Sequence, residues 1–214
     1  MSIIVYFIDH IDKIYRFTVS HLALISIAMF FSLLLWVSVG VIIRNKKNLA
    51  RGILGVGSLI MAVPSISLYG ILMTIPGFGL SRRSAVCALV LYSMIPIVRN
   101  VYTALNEVDD SILEAARGMG MPPLQVLFKI ELPLALPVII AGVQTSAVVT
   151  VGTAIISDLI GGGGLGRMVF TGLAMFNPVK ILIGSLLAAI IAIILDRFFD
   201  VLEKKMSTPR LYSK

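Results

Sequence analysis

Charge is what this sequence most lacks: 14% of its 214 residues are Asp, Glu, Lys or Arg, against 58% hydrophobic. Soluble domains carry roughly 25% charged residues, so composition excludes an ordinary soluble fold and makes this a membrane protein. Cysteine occurs once, at Cys87, which excludes an intrachain disulfide; in its apolar run it reads as a small core residue. His10 and His21 are the only histidines, too isolated for a metal site, and they read as interface polar residues. No basic n-region precedes a small-residue cleavage site, so a removable signal peptide is not expected. The formal net charge of +7 would suggest nucleic acid in a soluble chain. Here the cations flank apolar runs, as membrane anchoring requires, and no nucleic-acid partner is expected.

What is present is a series of long apolar runs. In Ser2 to Ser20, Ile4, Phe7, Ile8, Ile11, Ile14, Tyr15 and Val19 recur at helical spacing between Asp9, Asp12, Lys13 and Arg16. This predicts an amphipathic interfacial helix over 1–21, lying on the membrane rather than crossing it. Five spans of the ~20 residues that a hydrocarbon core needs follow, over about 22–43, 53–75, 85–105, 134–156 and 179–195. The spanning domain is thus 22–195, with a charged tail over 196–214. The fold class is all-α.

Prolines punctuate the spans. Pro64 lies mid-way in the second, beside Ser65, and Pro96 lies in the third. Each frees a carbonyl that a neighbouring helix or a water-lined path must satisfy, so a packing kink and a translocation path are both open. The fourth span holds Gln144, Thr145 and Ser146, where packing against a neighbouring helix or subunit competes with pore lining. Gln144 is the hardest to dismiss, since a full amide in hydrocarbon needs partners. Asp158 and the run Gly161-Gly162-Gly163-Gly164-Leu165-Gly166 lead out of that span. Without a Gly-Lys-Ser/Thr ending this is no phosphate loop, and a tight outer turn is the better account. A short helix over 165–176 and a stop at Asn177-Pro178 follow.

With the N-terminus outside, the inner segments carry Arg44, Lys46, Lys47, Arg51, Arg99, Arg117, Lys129, Arg197, Lys204, Lys205, Arg210 and Lys214. The outer ones carry Lys13, Arg16, Arg82, Arg83, Arg167 and Lys180. That excess places the N-terminus outside and the C-terminus inside, with Arg82 and Arg83 as a local exception.

The polar insertion at 106–133 then faces the cytoplasm. Asp109, Asp110 and Ser111 are able N-caps for a helix carrying Glu114, Ala115, Ala116 and Arg117. Gly120 and Pro122-Pro123 forbid its continuation, and helix-compatible residues resume from Leu124 until Pro133 stops them. Two short helices joined at an obligatory bend suit docking into a partner's groove.

Three classes of function fit poorly. A secondary transporter would show inverted repeats and ionisable groups deep in its spans. A membrane enzyme would need a nucleophile, an acid–base pair or a metal cluster. A scaffold leaves the bent loop without a role. What remains is a transport subunit driven by a partner docked on that loop.

Glu114-Ala115-Ala116, three residues, Gly120, nine residues, then Ile130-x-Leu132-Pro133 resembles the EAA loop of permease subunits of bacterial ATP-binding cassette importers. The chain from about His21 to the tail resembles the osmoprotectant branch (glycine betaine, carnitine, choline) of the MetI-like, methionine-permease-like fold. The stretches that carry this are 62–65, 91–100, 137–146 and 160–166. The resemblance implies a multi-pass subunit of the cytoplasmic (inner) membrane, without catalytic or metal-binding residues, working with a second permease subunit, identical or paralogous. It also implies ATPase subunits that use ATP and Mg, and a separate extracytoplasmic substrate-binding protein. Glu114 to Leu127 would be the coupling helices seated in the ATPase, and recognition of a quaternary ammonium by an aromatic cage would fall to the binding protein. Permeases for methionine or another amino acid are the alternative.

Overall fold

The computed structural model describes residues 3–207, with helices, turns and no strand among the described residues. Ser2, the side chain of Ile4, Arg210 and Lys214, all named in the sequence analysis, lie outside them, as does the rest of 208–214.

Helix α1 spans Ile3–Asp9, and α2 spans Ile11–Ile43 as one helix. The expected interfacial helix over 1–21 is therefore divided: only α1 is separate, and from Ile11 onward the chain runs unbroken into the first span. No proline or glycine occurs between His10 and Gly40, so nothing local ends the helix at His21. At 33 residues α2 is about 50 Å long against a hydrocarbon core of about 30 Å, so its polar first turns stand outside that core. A π turn at Leu33–Val37 interrupts it, and from there Trp36 Nε1 donates to Val90 O at 2.6 Å.

The second span is broken rather than kinked. Helices α3 (Lys47–Ala62) and α4 (Ser65–Thr74) meet at 101°. Val63, just before Pro64, is extended (φ −70°, ψ 128°), because the proline ring crowds the α region of the residue ahead of it. The Tyr92 hydroxyl donates to Val63 O at this break, and Tyr69 Oη donates to Thr153 O at 2.9 Å. Ile60 O, the carbonyl that Pro64 frees, accepts from Val63 N at 3.2 Å, so the break satisfies itself locally while Tyr92 pins it to α5 and Tyr69 pins α4 to α7.

Helix α5 (Arg82–Asn106) is the most interior span, with 67% of its apolar window buried. After α6 (Asp110–Gly118), helix α7 covers Pro123–Ile160. Pro133 does not stop it, contrary to expectation. A π turn at Leu127–Glu131 opens the hydrogen-bond ladder, and Pro133 falls in the first turn of the α-helical part after it, where an N–H is least needed. Helix α8 (Leu165–Ala174) is shorter than expected, and Asn177-Pro178 is the start of α9 (Pro178–Met206), with Asn177 Oδ1 accepting from Lys180 N at 3.2 Å. The fifth span does not end at Leu195: α9 continues through Asp196 and Arg197, supported by a Lys204–Asp200 pair at 2.8 Å.

Helix α7 is the axis of the bundle and packs against α2, α5, α8 and α9. Only 22% of the α9 window is buried, and Leu182, Leu186, Ile190, Ile193 and Ile194 are exposed along it. That continuous apolar face is what a lipid-facing helix presents.

Candidate functional site

The polar segment between α5 and α7 is built to hold one short helix at a fixed angle. Asp109 Oδ1 accepts from Ser111 N at 2.8 Å and caps α6. Hydrogen bonds from the Ser111 side chain and then its backbone hold the Asp109 carboxyl below its ordinary pKa. At the other end Gly120 N donates to Arg117 O at 2.9 Å and Met121 N to Ala116 O at 3.2 Å. That pair of bonds is a Schellman cap, which needs a left-handed residue at its centre, and Gly120 has φ +79°. Met121 closes the cap by packing on Ala116.

Leu113, Ala116 and Val126 form a small core of their own, flanked by Val108, Met121 and Ile130 and separate from the membrane core. The EAA-type motif therefore divides into two faces. Ala116 is 1% exposed and Ile130 half-buried, so these hold α6 against the start of α7. Glu114, Ala115 and Arg117 point outward. The small side chains of Ala115 and Ala116 serve different ends: Ala115 leaves the outer face low, and Ala116 lets α6 settle on Val126. Leu132 is half-buried and Pro133 exposed along α7.

The outward face has more on it than the motif. Met119, Leu124 and Phe128, on the same bent segment as the exposed Glu114 and Arg117, are 74%, 70% and 64% exposed. An apolar patch carrying one acid and one base, on a rigid helix-turn-helix, has the anatomy of a protein-docking surface. Sequence reasoning placed Met119 and Leu124 within the 114–127 coupling stretch without singling them out and left Phe128 outside it; their signal was apolar side chains within the longest polar insertion. It also passed over Glu131, which is buried and paired with Arg44 from α2, Nε to Oε2 at 2.8 Å.

The intramembrane candidates do not gather in one place. Pro64 is exposed at the α3–α4 break, Ser65 half-buried and Pro96 buried in α5. Ser146 Oγ lies 3.8 Å from Met29 Sδ in the core, and Thr145 is exposed with Oγ1 returned to Ala141 O at 3.0 Å. Gln144 Nε2 donates to Asp196 Oδ1 at 2.7 Å, so the amide that needed a partner has one on α9, a carboxylate expected to lie beyond the span. Gln144→Leu is expected to cost about 1–3 kcal/mol by leaving that carboxyl unpaired. Asp196→Asn, which keeps the accepting oxygen, should melt close to wild type in detergent.

After α7, Gly161, Gly163 and Gly164 have φ of +87°, +74° and +76°, which fits a tight turn. Gly162 and Gly166 serve contact instead: an added Cβ would stand 2.2 Å from Ser157 Oγ and 2.1 Å from Ile155 O. Asp158 pairs with Arg167 at 3.1 Å, and Arg82 Nη2 donates to Ser20 O at 3.0 Å, so two of the six cations expected on the outer side have fixed work within the fold.

Residues 36–208 match the family described as the binding-protein-dependent transport system inner membrane component. The chain belongs to this family. The matched region includes α7, both sides of the bent segment and all of α9, and makes this chain a multi-pass inner-membrane permease. The permease is 37% identical to the choline transport system permease protein OpuBB of Bacillus subtilis, over 89% of this chain and 87% of that one. It is 37% identical to the osmoprotectant import permease protein OsmW of Salmonella typhimurium, over 92% and 93%. A permease chain of the inward-facing MetNI methionine ABC transporter superposes with a TM-score of 0.82 at 22% identity, over 91% of this chain and 96% of that one. This last likeness establishes the MetI-like fold.

Proposed function

We propose that this permease moves a compatible solute of the glycine betaine, carnitine or choline type inward across the cytoplasmic membrane, as one of two permease subunits powered by a separate ATPase. The observation that carries the cargo class is the agreement of relatives: proteins named for choline, osmoprotectants and glycine betaine/carnitine/choline are 35–37% identical over about nine-tenths of both chains. The methionine reading rests on likeness of fold alone.

In this reading the N-terminus is outside, the C-terminus inside, and α6 presents Glu114, Arg117, Met119, Leu124 and Phe128 to the ATPase. ATP and its Mg are bound and consumed by that partner, and this chain has no catalytic part in the hydrolysis. Closure of the ATPase pair displaces α6, and the cap at Gly120 makes α6 and the start of α7 move as a unit. Nucleotide drives transport only by binding one of the two conformations more tightly. An extracytoplasmic binding protein supplies specificity, so the permease itself needs only a passing contact with the solute.

The test is uptake into proteoliposomes holding the permease, its ATPase and its binding protein. Saturable, ATP-dependent uptake of radiolabelled choline, carnitine or glycine betaine is expected. Uptake of methionine with none of these three would overturn the cargo assignment.

A further inference from the structure

Glu131, 7% exposed as a whole residue, is the one buried charged residue among the described residues; its side chain is 9% exposed. Its partner, Arg44, comes from 87 residues earlier, at the cytoplasmic end of α2, and is 18% exposed. The same guanidinium donates through Nη1 to Val41 O at 3.1 Å. Arg44 is thereby fastened to the last turn of α2, where its charge also opposes the negative end of the helix dipole.

The position of this pair is what gives it meaning. Residues 107–131 hold α6 and its small core, which is distinct from the membrane core. Among the described residues, the Arg44–Glu131 bond is the one side-chain hydrogen bond or ion pair that ties this segment to another span; its other tie is the backbone bond from Glu107 N to Thr103 O at the end of α5. Glu131 also closes the π turn Leu127–Glu131. Val126 and Ile130, four residues apart, share the face turned to the small core, while Leu127 and Glu131, each about 100° further round, share the face turned to the membrane core and α2. A buried ion pair contributes little net stability over an apolar pair of similar size; what this one adds is a directed contact between the end of α2 and the start of α7.

We infer that the Arg44–Glu131 ion pair is the joint through which displacement of the coupling segment is passed to the first span, so that both residues are positioning residues for transport. This rests on the transport function proposed for the chain. Movement of α6 carries the start of α7 with it, and the ion pair pulls the cytoplasmic end of α2 along the same path. Without the pair, the ATPase still docks and still hydrolyses ATP, and part of each stroke is lost.

The experiment uses the reconstituted importer and reads solute taken up per ATP hydrolysed. Arg44→Gln and Glu131→Gln are each expected to lower that ratio about tenfold, with ATP hydrolysis retained. The exchange Arg44→Glu with Glu131→Arg should bring it back to within about threefold of wild type. Because a single substitution leaves a buried charge and can impair folding, the apolar pair Arg44→Met with Glu131→Leu is the decisive variant. It keeps the packing and removes the directed bond, and its ratio is also expected to fall about tenfold. Uptake and hydrolysis falling in proportion, or an apolar pair that couples like wild type, would make the pair a structural strut only. The wild-type importer run alongside separates the two readings. If it carries methionine instead, the cargo assignment fails, and the ratio measured with methionine still decides the joint.

Discussion

Gly120→Pro abolishes uptake, by about 100-fold or more, in a protein that still inserts into the membrane. Proline deletes the Gly120 N–H that bonds Arg117 O and forces φ from +79° to about −65°. Losing that cap geometry costs about 3 kcal/mol, which corresponds to the factor of 100. The effect stays local because Gly120 is exposed and an added Cβ would meet nothing within 4 Å. Gly120→Ala, which keeps the N–H and suffers only the left-handed strain of about 1–2 kcal/mol, should fall between. Glu114→Lys reaches the same end by another route. It reverses the charge at the centre of the outward face and sets two cations three residues apart, at 114 and 117, on one helix turn. Pull-down of the ATPase from detergent extracts, beside the uptake assay, measures both. Normal transport in Gly120→Pro and Glu114→Lys would remove the coupling role from α6.

The bend at Gly120 and a distortion at Pro64 were both legible because each is dictated by local chemistry, though the 101° break at Pro64 exceeds the kink expected there. A residue before proline leaves the α region, and a Schellman cap wants glycine, whatever surrounds them. Pro133 misled for the complementary reason. Its restraint is equally local, but a π turn upstream absorbs it, and the cue for that turn is tertiary: Glu131 needs Arg44, 87 residues away. The amphipathic start of α2 misled in another way. Polar residues at helical spacing describe a surface-lying helix and the protruding end of a long span equally well, and only a break would tell them apart. Asp196 reads as the start of the tail because hydropathy cannot register a carboxylate held by Gln144 on a neighbouring helix. The outward apolar patch on α6 and α7 was hidden in a chain so apolar that Met119, Leu124 and Phe128 carried no contrast.

Gly142→Leu is expected to abolish assembly of the folded permease, the largest effect of any single change within the spans. Gly142 lies where α7 crosses α5, and a Cβ there would stand 2.5 Å from Asn100 Cβ and 2.7 Å from Pro96 O. Neither atom is the free end of a side chain. Pro96 O is already engaged by Asn100 Nδ2 at 2.7 Å, so the polar contact and the helix crossing would be pushed apart together. Lipid offers helices no hydrophobic drive to associate, so close packing through small residues has to supply it. Overpacking a crossing of this kind costs about 1–3 kcal/mol or more even when neighbours can adjust, and here the neighbours are backbone and Cβ. Gly152, also on α7, is the control: a Cβ there would meet nothing within 4 Å, so Gly152→Leu should melt like wild type. Thermal unfolding in detergent, followed by size-exclusion profile, compares the two. A Gly142→Leu protein that melts at the wild-type temperature would mean that α5 and α7 do not cross at Gly142. A Gly152→Leu protein that melts normally but loses uptake would place that exposed position against the second permease subunit.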